Sequence, residues 1–80
     1  MNNQTVYVVQ LGTINGEKVY RRGNYTLSYT TNPAKAYQFK THATAENRLR
    51  VYQVNQLVER LDIEEDRKVV EIQISASILG

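Results

Sequence analysis

The sequence contains no cysteine and no tryptophan, and only one histidine and one proline. Without cysteine the chain has no disulfide, no thiolate zinc site and no thiol nucleophile. The absence of cysteine fits a protein of the reducing cytoplasm. The only histidine, His42, is predicted in the first turn of a helix, where a side chain is usually exposed to solvent. A catalytic histidine and a metal site therefore have little support.

Long apolar stretches and catalytic motifs are also missing. No segment approaches the ~20 apolar residues that span a bilayer. Residues 6–11 are too short, and too interrupted by Gln10, to resemble a signal peptide. There is no G-x-S-x-G motif and no glycine-rich phosphate loop, and the acids at residues 64–66 lack the spacing of a calcium loop. We expect no enzyme, no cofactor and no metal ion.

Four segments have the composition of β-strands. The first, residues 5–13, carries apolar side chains on both faces, as a central strand does. Asn15-Gly16 follows it, and this pair is the strongest short signal for a β-hairpin. The other segments are residues 17–22, 24–30 and 67–79. The side chains expected to face inward from the last segment are Val70, Ile72, Ile74, Ala76 and Ile78.

Residues 42–62 contain neither glycine nor proline, and they predict one long helix. Thr41 is placed to cap its first turn through the side-chain hydroxyl. Upstream, Asn32 is placed to cap a short helical turn at residues 33–37. Phe39 follows that turn and is expected to insert into the core.

The order of these elements is β-β-β-α-β, which predicts an α+β fold. We expect one antiparallel-dominated sheet with one long helix packed on one face, because the last strand has to pair with the preceding meander. Residues 1–80 then form a single small domain, whose size allows only a limited core.

The predicted helix carries two apolar lines when residues are spaced at ~100°. One line holds Ala45, Leu49 and Tyr52, and the other holds Val51, Val54, Leu57, Val58 and Leu61. A helix over one sheet face needs only one line. Two interpretations stay open. Either the helix bends or ends early and each half uses its own face, or the second line contacts another chain, for example in a homodimer with the two helices side by side.

Charge is distributed unevenly along the chain. Residues 1–58 carry seven Lys/Arg and two acids, whereas residues 59–80 carry three Lys/Arg and six acids. A basic surface is predicted from Arg21, Arg22, Lys40, Arg48 and Arg50. The tyrosines that interleave with it are Tyr20, Tyr25, Tyr29 and Tyr37. Such a surface can bind nucleic acid through phosphates and stacked bases, although a core would also use these tyrosines.

The second half of the chain offers an acidic docking patch for a basic protein partner. Its residues are Glu59, Asp62, Glu64, Glu65 and Asp66. The alternative is an ordinary helix end followed by a solvated loop. The chain as a whole is basic, so mimicry of DNA by the entire molecule is excluded.

Residues 25–49 resemble a pattern of small uncharacterised proteins from bacteriophages and prophages of Gram-positive bacteria. In that pattern a β-meander leads to an Asn-Pro-x-x-Ala turn, a phenylalanine anchor, a threonine and a helix with Ala and Leu four apart. The matching residues are Asn32, Pro33, Ala34, Lys35, Ala36, Phe39, Thr41, Ala45 and Leu49. The resemblance implies a fold and a phage-like origin. It also implies that Ala45 and Leu49 face the sheet.

These observations favour a small non-enzymatic protein that binds a protein partner. With a phage-like origin, one specific form is an inhibitor of a host defence system such as CRISPR–Cas, acting in the host cytoplasm. The alternative is a small nucleic-acid-binding accessory protein. No membrane association is expected.

Overall fold

The structure is a computed structural model, and it describes residues 3–23 and 27–75. Four strands form one antiparallel sheet in the order β3-β2-β1-β4. The elements are β1 (Asn3–Ile14), β2 (Glu17–Arg21), β3 (Tyr29–Thr30), a 3-10 turn (Pro33–Lys35), α1 (His42–Glu46), α2 (Tyr52–Arg60) and β4 (Glu64–Ser75). The strand predictions at residues 24–26 and 76–79 lie outside the described residues.

β1 is the central strand, as its apolar side chains on both faces predicted. It pairs with β2 on one side and with β4 along nearly its whole length on the other. Asn15 and Gly16 have φ of 51° and 83°, so the predicted hairpin turn is confirmed. The register shifts between Gln10 and Gly12. A Cβ on Gly12 would collide with the carbonyl oxygen of Glu64, so this position requires glycine.

The segment around Phe39 fills a gap where β2 separates from β1. The Tyr37 N–H donates to the Arg21 carbonyl at 3.0 Å, at the end of β2. Phe39 then exchanges two backbone hydrogen bonds with Tyr7 of β1, at 2.8 and 2.9 Å. The side chain of Phe39 is buried, which confirms its predicted insertion into the core.

The prediction of one long helix at residues 42–62 is wrong. The chain forms α1, turns through residues 47–51 and restarts as α2, with Val51 in an extended conformation. Both predicted caps are confirmed: Thr41 Oγ1 accepts from Thr44 N at 3.2 Å, and Asn32 Oδ1 accepts from Ala34 N at 3.0 Å. The physical reason for the break is burial, because the turn brings Ala45 and Leu49 of the first line against the same core as the second line.

The core consists of two clusters on the two faces of the sheet. The cluster under the helices contains Val9, Leu11, Val19, Phe39, Ala45, Leu49, Val54, Leu57 and Ile63. The other contains Val8, Tyr20 and Ala36, and Val70 and Ile72 pack against it. Val69 packs under the helices instead, because neighbouring strand residues point to opposite faces. The predicted inward residues Val70 and Ile72 therefore face away from the helical layer.

Candidate functional site

The second apolar line does not form an outward row. Val54 and Leu57 are 0% and 3% exposed, and Val51, Val58 and Leu61 pack against the same core cluster. The side chain that does point to solvent is Tyr52, which is 69% exposed and belongs to the first line. The expectation of an interface at Val51, Val54, Leu57, Val58 and Leu61 is therefore corrected, because the turn between α1 and α2 directs this line inward. Homodimerisation through the helices loses its geometric basis.

The predicted basic surface is incomplete. Arg21 is only 1% exposed, so its guanidinium cannot meet a phosphate or a partner carboxylate at the surface. Arg22, Lys40 and Arg50 are exposed and Arg48 is half-buried, but they come from separate places: the end of β2, the approach to α1 and the turn between the helices. Burial of an arginine is rare, and no sequence pattern marked it.

The tyrosines divide between core and surface. Tyr20 is buried in the core cluster opposite the helices. Tyr29 and Tyr37 are 41% and 38% exposed, and the Tyr37 ring packs on Phe39 with centroids 4.9 Å apart. Tyr25 lies outside the described residues. Two partly exposed rings are thus present, but Tyr20 cannot stack on a base.

The predicted acidic residues all remain exposed, and they lie in one stretch of chain that runs from the last turn of α2 to the start of β4. We call this set the acidic corner; it comprises Glu59, Asp62, Glu64, Glu65 and Asp66. Glu59 lies in the last turn of α2, and the three final acids begin β4. The corner thus joins the helical layer to the edge of the sheet.

The backbone of the acidic corner is fixed by a helix stop signal. Asp62 has φ of 51°, and the Ile63 N–H donates to the Val58 carbonyl at 3.2 Å, as in a Schellman motif. Ile63 is buried and Val58 packs against the same cluster, in keeping with the apolar contact that usually accompanies this motif. The acids are therefore held on a defined turn.

Two of the five carboxylates have partners inside the chain. Glu65 Oε2 lies 3.3 Å from Arg67 Nε, and Asp66 Oδ2 lies 3.9 Å from Lys68 Nζ. Gln10 Nε2 also donates to the Asp66 carbonyl at 2.9 Å. Within the described residues, no basic side chain forms an ion pair with Glu59, Asp62 or Glu64. We call these three carboxylates uncompensated in this sense, although the exposed Arg60 lies between Glu59 and Asp62 in the chain.

Arg67 is a residue that sequence reasoning missed. Its Nη1 donates to the Leu49 carbonyl at 3.0 Å and to Asn55 Oδ1 at 2.6 Å, and its side chain is 11% exposed. It therefore ties β4 to the turn between α1 and α2, and at the same time it holds Glu65. The only signal in the sequence was its place on the same strand face as Val69, on the side that the helices cover.

The chemistry available at the corner is electrostatic. In the part of the chain that the structure describes there is no group of three or more His, Cys, Asp or Glu placed to hold a metal ion, and no pocket was found. No helix among the described residues is long and apolar enough to cross a membrane. Comparisons of the chain with protein-family models, curated proteins and solved structures found no match.

Proposed function

We propose that this chain is a small non-enzymatic binding protein that docks on a basic surface of a protein partner through the acidic corner. The observation that carries the proposal is a group of exposed carboxylates on a turn fixed by buried neighbours, with Glu59, Asp62 and Glu64 uncompensated. A rigid turn costs little conformational entropy on binding, which favours a docking surface over a loop that must first become ordered.

A protein partner is favoured over nucleic acid by the distribution of charge. Carboxylates at the corner repel phosphates, and the basic set is divided and has lost Arg21 to the interior. The alternative, a nucleic-acid-binding accessory protein, depends on the exposed rings of Tyr29 and Tyr37 and on Arg22 nearby, whose N–H donates to the Ser28 carbonyl next to Tyr29. That arrangement supplies fewer phosphate contacts than the binding of a duplex usually needs.

Exposed charges of this kind act mainly on the approach of the partner, before the two proteins are in contact. A local field of one sign steers the encounter with an oppositely charged partner and raises the association rate, and salt screens the effect. We therefore expect partner binding to weaken with ionic strength chiefly through slower association. The narrower proposal, a phage-encoded inhibitor of a host defence system in the host cytoplasm, rests on the sequence resemblance alone.

The test compares two sets of substitutions. Glu59→Lys, Asp62→Asn and Glu64→Lys together remove the uncompensated charge, and Asn keeps the tolerance for positive φ that position 62 requires. The control reverses Glu46 and Glu71, an exposed acid of α1 and one in the middle of β4, and changes the net charge by a similar amount. Each tagged variant is used to capture partners from a Gram-positive bacterial lysate.

We expect the wild type and the control to retain the same partner, and the corner variant to lose it. Equal capture by all three proteins would remove the acidic corner as the docking surface. A gel shift of the same proteins with single- and double-stranded DNA tests the alternative function, nucleic-acid binding. Tight DNA binding with a steep salt dependence, abolished by Arg22→Glu and Tyr37→Ala, would favour nucleic acid over a protein partner.

A further inference from the structure

The tip of the β1–β2 hairpin carries the one Asn-Gly pair of the chain. Such a pair is chemically labile, because the glycine nitrogen can attack the side-chain amide carbon of asparagine and no glycine side chain hinders the approach. Asn15 and Gly16 are both exposed, and a Cβ built on Gly16 would meet no atom within 4 Å. In the described part of the chain, no hydrogen bond involves the Asn15 side chain or the Gly16 N–H. The two reacting groups therefore lie open to solvent.

The other asparagines whose side chains the structure describes lack this combination of features. Asn32 is followed by proline, whose nitrogen carries no hydrogen to lose. Asn55 lies within α2, and its side-chain oxygen accepts from Arg67 at 2.6 Å. Asn47 is exposed, but arginine follows it, and a side chain at that place hinders the attack. Asn15 alone among these four combines exposure, a glycine successor and a side chain without a hydrogen bond.

We infer that Asn15 is a site of spontaneous deamidation in the folded protein. The Gly16 nitrogen loses its proton to hydroxide and bonds to Cγ of Asn15, and the bond from Cγ to Nδ2 breaks as ammonia takes up a proton and leaves. Water then opens the resulting cyclic imide. Attack of water at Cγ restores the backbone and leaves aspartate, whereas attack at the backbone carbonyl carbon leaves isoaspartate, whose chain runs through Cβ and Cγ. Either product replaces a neutral amide with a carboxylate.

The new carboxylate extends the acidic corner, a consequence that rests on the function proposed above. Thr13 of β1 stands opposite Glu64 of β4, and Asn15 follows shortly after it at the same end of the sheet. With strands about 4.8 Å apart and a rise of about 3.3 Å per residue, Asn15 lies on the order of 10 Å from Glu64, comparable with the Debye length of ~8 Å. Glu17 pairs with Ile14 across the same turn and is exposed there as well. Deamidation therefore strengthens the negative field at this end of the sheet with time.

The two products differ in their effect on the hairpin. Asp-Gly fits the same type I′ turn as Asn-Gly, so aspartate adds a charge and leaves the pairing of β1 with β2 intact. Isoaspartate lengthens the backbone by one carbon atom, so the turn no longer matches the twist of its strands, and the terminal pair of Ile14 with Glu17 is loosened.

Mass spectrometry of proteolytic peptides tests the modification on the unaltered protein. The folded wild type is incubated at mildly alkaline pH in water enriched in heavy oxygen, so that the label shows which amide has been hydrolysed. We expect conversion at Asn15 to precede conversion at Asn47 and Asn55, with aspartate and isoaspartate both present. The same incubation in urea gives the rate for the unfolded chain. An amide that persists at Asn15 of the folded protein, or equal conversion at Asn47 and Asn55, overturns the inference.

Association with a poly-lysine surface tests the consequence for charge separately. Asn15→Asp reproduces one product, and Gln73→Glu adds the same charge at the opposite end of β4. At moderate ionic strength we expect Asn15→Asp to associate about twofold faster than the wild type, and Gln73→Glu to remain close to it. Equal rates for the two variants overturn the extension of the acidic corner. If the corner variant binds poly-lysine as fast as the wild type, the proposed function fails, whereas the modification is judged by the peptide masses alone.

Discussion

α1 and α2 cover the same face of the sheet, but they are held there by different forces. α1 is five residues long, begins at the side-chain cap of Thr41 and buries only Ala45 within its span. α2 is nine residues long, has no side-chain hydrogen bond at its N-cap Val51 and buries Val54 and Leu57. The position of α1 is therefore set mainly by the capping hydrogen bond at its start, and that of α2 mainly by the burial of its apolar side chains. Substitutions in the two helices should differ in size accordingly.

The largest effect is expected below both helices. Phe39 belongs to the cluster that contains Ala45 of α1 and Leu57 of α2, and removing its ring takes away the surface on which both rest. Phe39→Ala should cost about 3–5 kcal/mol of unfolding free energy, close to the total stability of so small a domain. Urea denaturation followed by far-UV circular dichroism measures it. Tyr37→Ala, at the adjacent exposed ring, is the control, and an equal loss in both would remove Phe39 as the anchor.

A smaller effect is expected within α2. Leu57→Ala should lower the free energy of unfolding by about 3 kcal/mol, because it leaves a cavity among well-packed neighbours. Tyr52→Ala, on the exposed side of the same helix, should change it by less than about 0.5 kcal/mol. Chemical denaturation of both variants compares them directly. The reverse ranking would mean that the row from Val51 to Leu61 faces solvent or a partner, as the sequence alone also allowed.

The connection between the helices should come next. Arg67→Met keeps much of the aliphatic packing but leaves the Leu49 carbonyl without its charged donor, so we expect a loss of about 2 kcal/mol. Lys68→Met, at the neighbouring exposed position, should be close to neutral. Amide hydrogen exchange at residues 47–51 gives the specific readout. Faster exchange there in Arg67→Met, but not in Lys68→Met, would show that Arg67 holds the turn between α1 and α2. Unchanged protection would assign Arg67 to the surface.

The smallest effect is expected at the start of α1. Thr41→Ala removes the hydroxyl that accepts from the Thr44 N–H and should cost about 1 kcal/mol. Thr41→Ser retains the acceptor and should restore most of the loss. Thermal melts of the wild type, Thr41→Ala and Thr41→Ser measure the two losses. An equal loss in the serine variant would show that the methyl group, rather than the capping hydroxyl, stabilises this position.

The features predicted correctly from the sequence are those set by neighbouring residues. Asn15-Gly16, the caps at Asn32 and Thr41, and the two apolar faces of β1 each follow from local geometry. The break between α1 and α2 was only one of two open interpretations, because no glycine or proline marks it, and because its effect is to bring Ala45 and Leu49 against the same core as Val54 and Leu57. Tertiary packing overrides helix propensity at such a place.

The candidate site divides in the same way. Exposure of the acidic corner follows from a run of charges, which are costly to bury, and could be predicted without a fold. Burial of Arg21 and the reach of Arg67 to Leu49 depend on contacts between distant segments, so periodicity contains no information about them.

The pairing of β1 with β4 has a consequence for the route by which the chain folds. The β1–β2 hairpin closes through Asn15-Gly16 and can form within microseconds. By contrast, β1 pairs with β4 through residues at opposite ends of the described chain, such as Val6 and Ile72. Closing that long loop costs conformational entropy before the strand pairing can stabilise the chain. Folding dominated by such contacts takes milliseconds to seconds. Throughout that interval the central strand has one edge uncovered, so we expect the yield of refolding to fall as protein concentration rises.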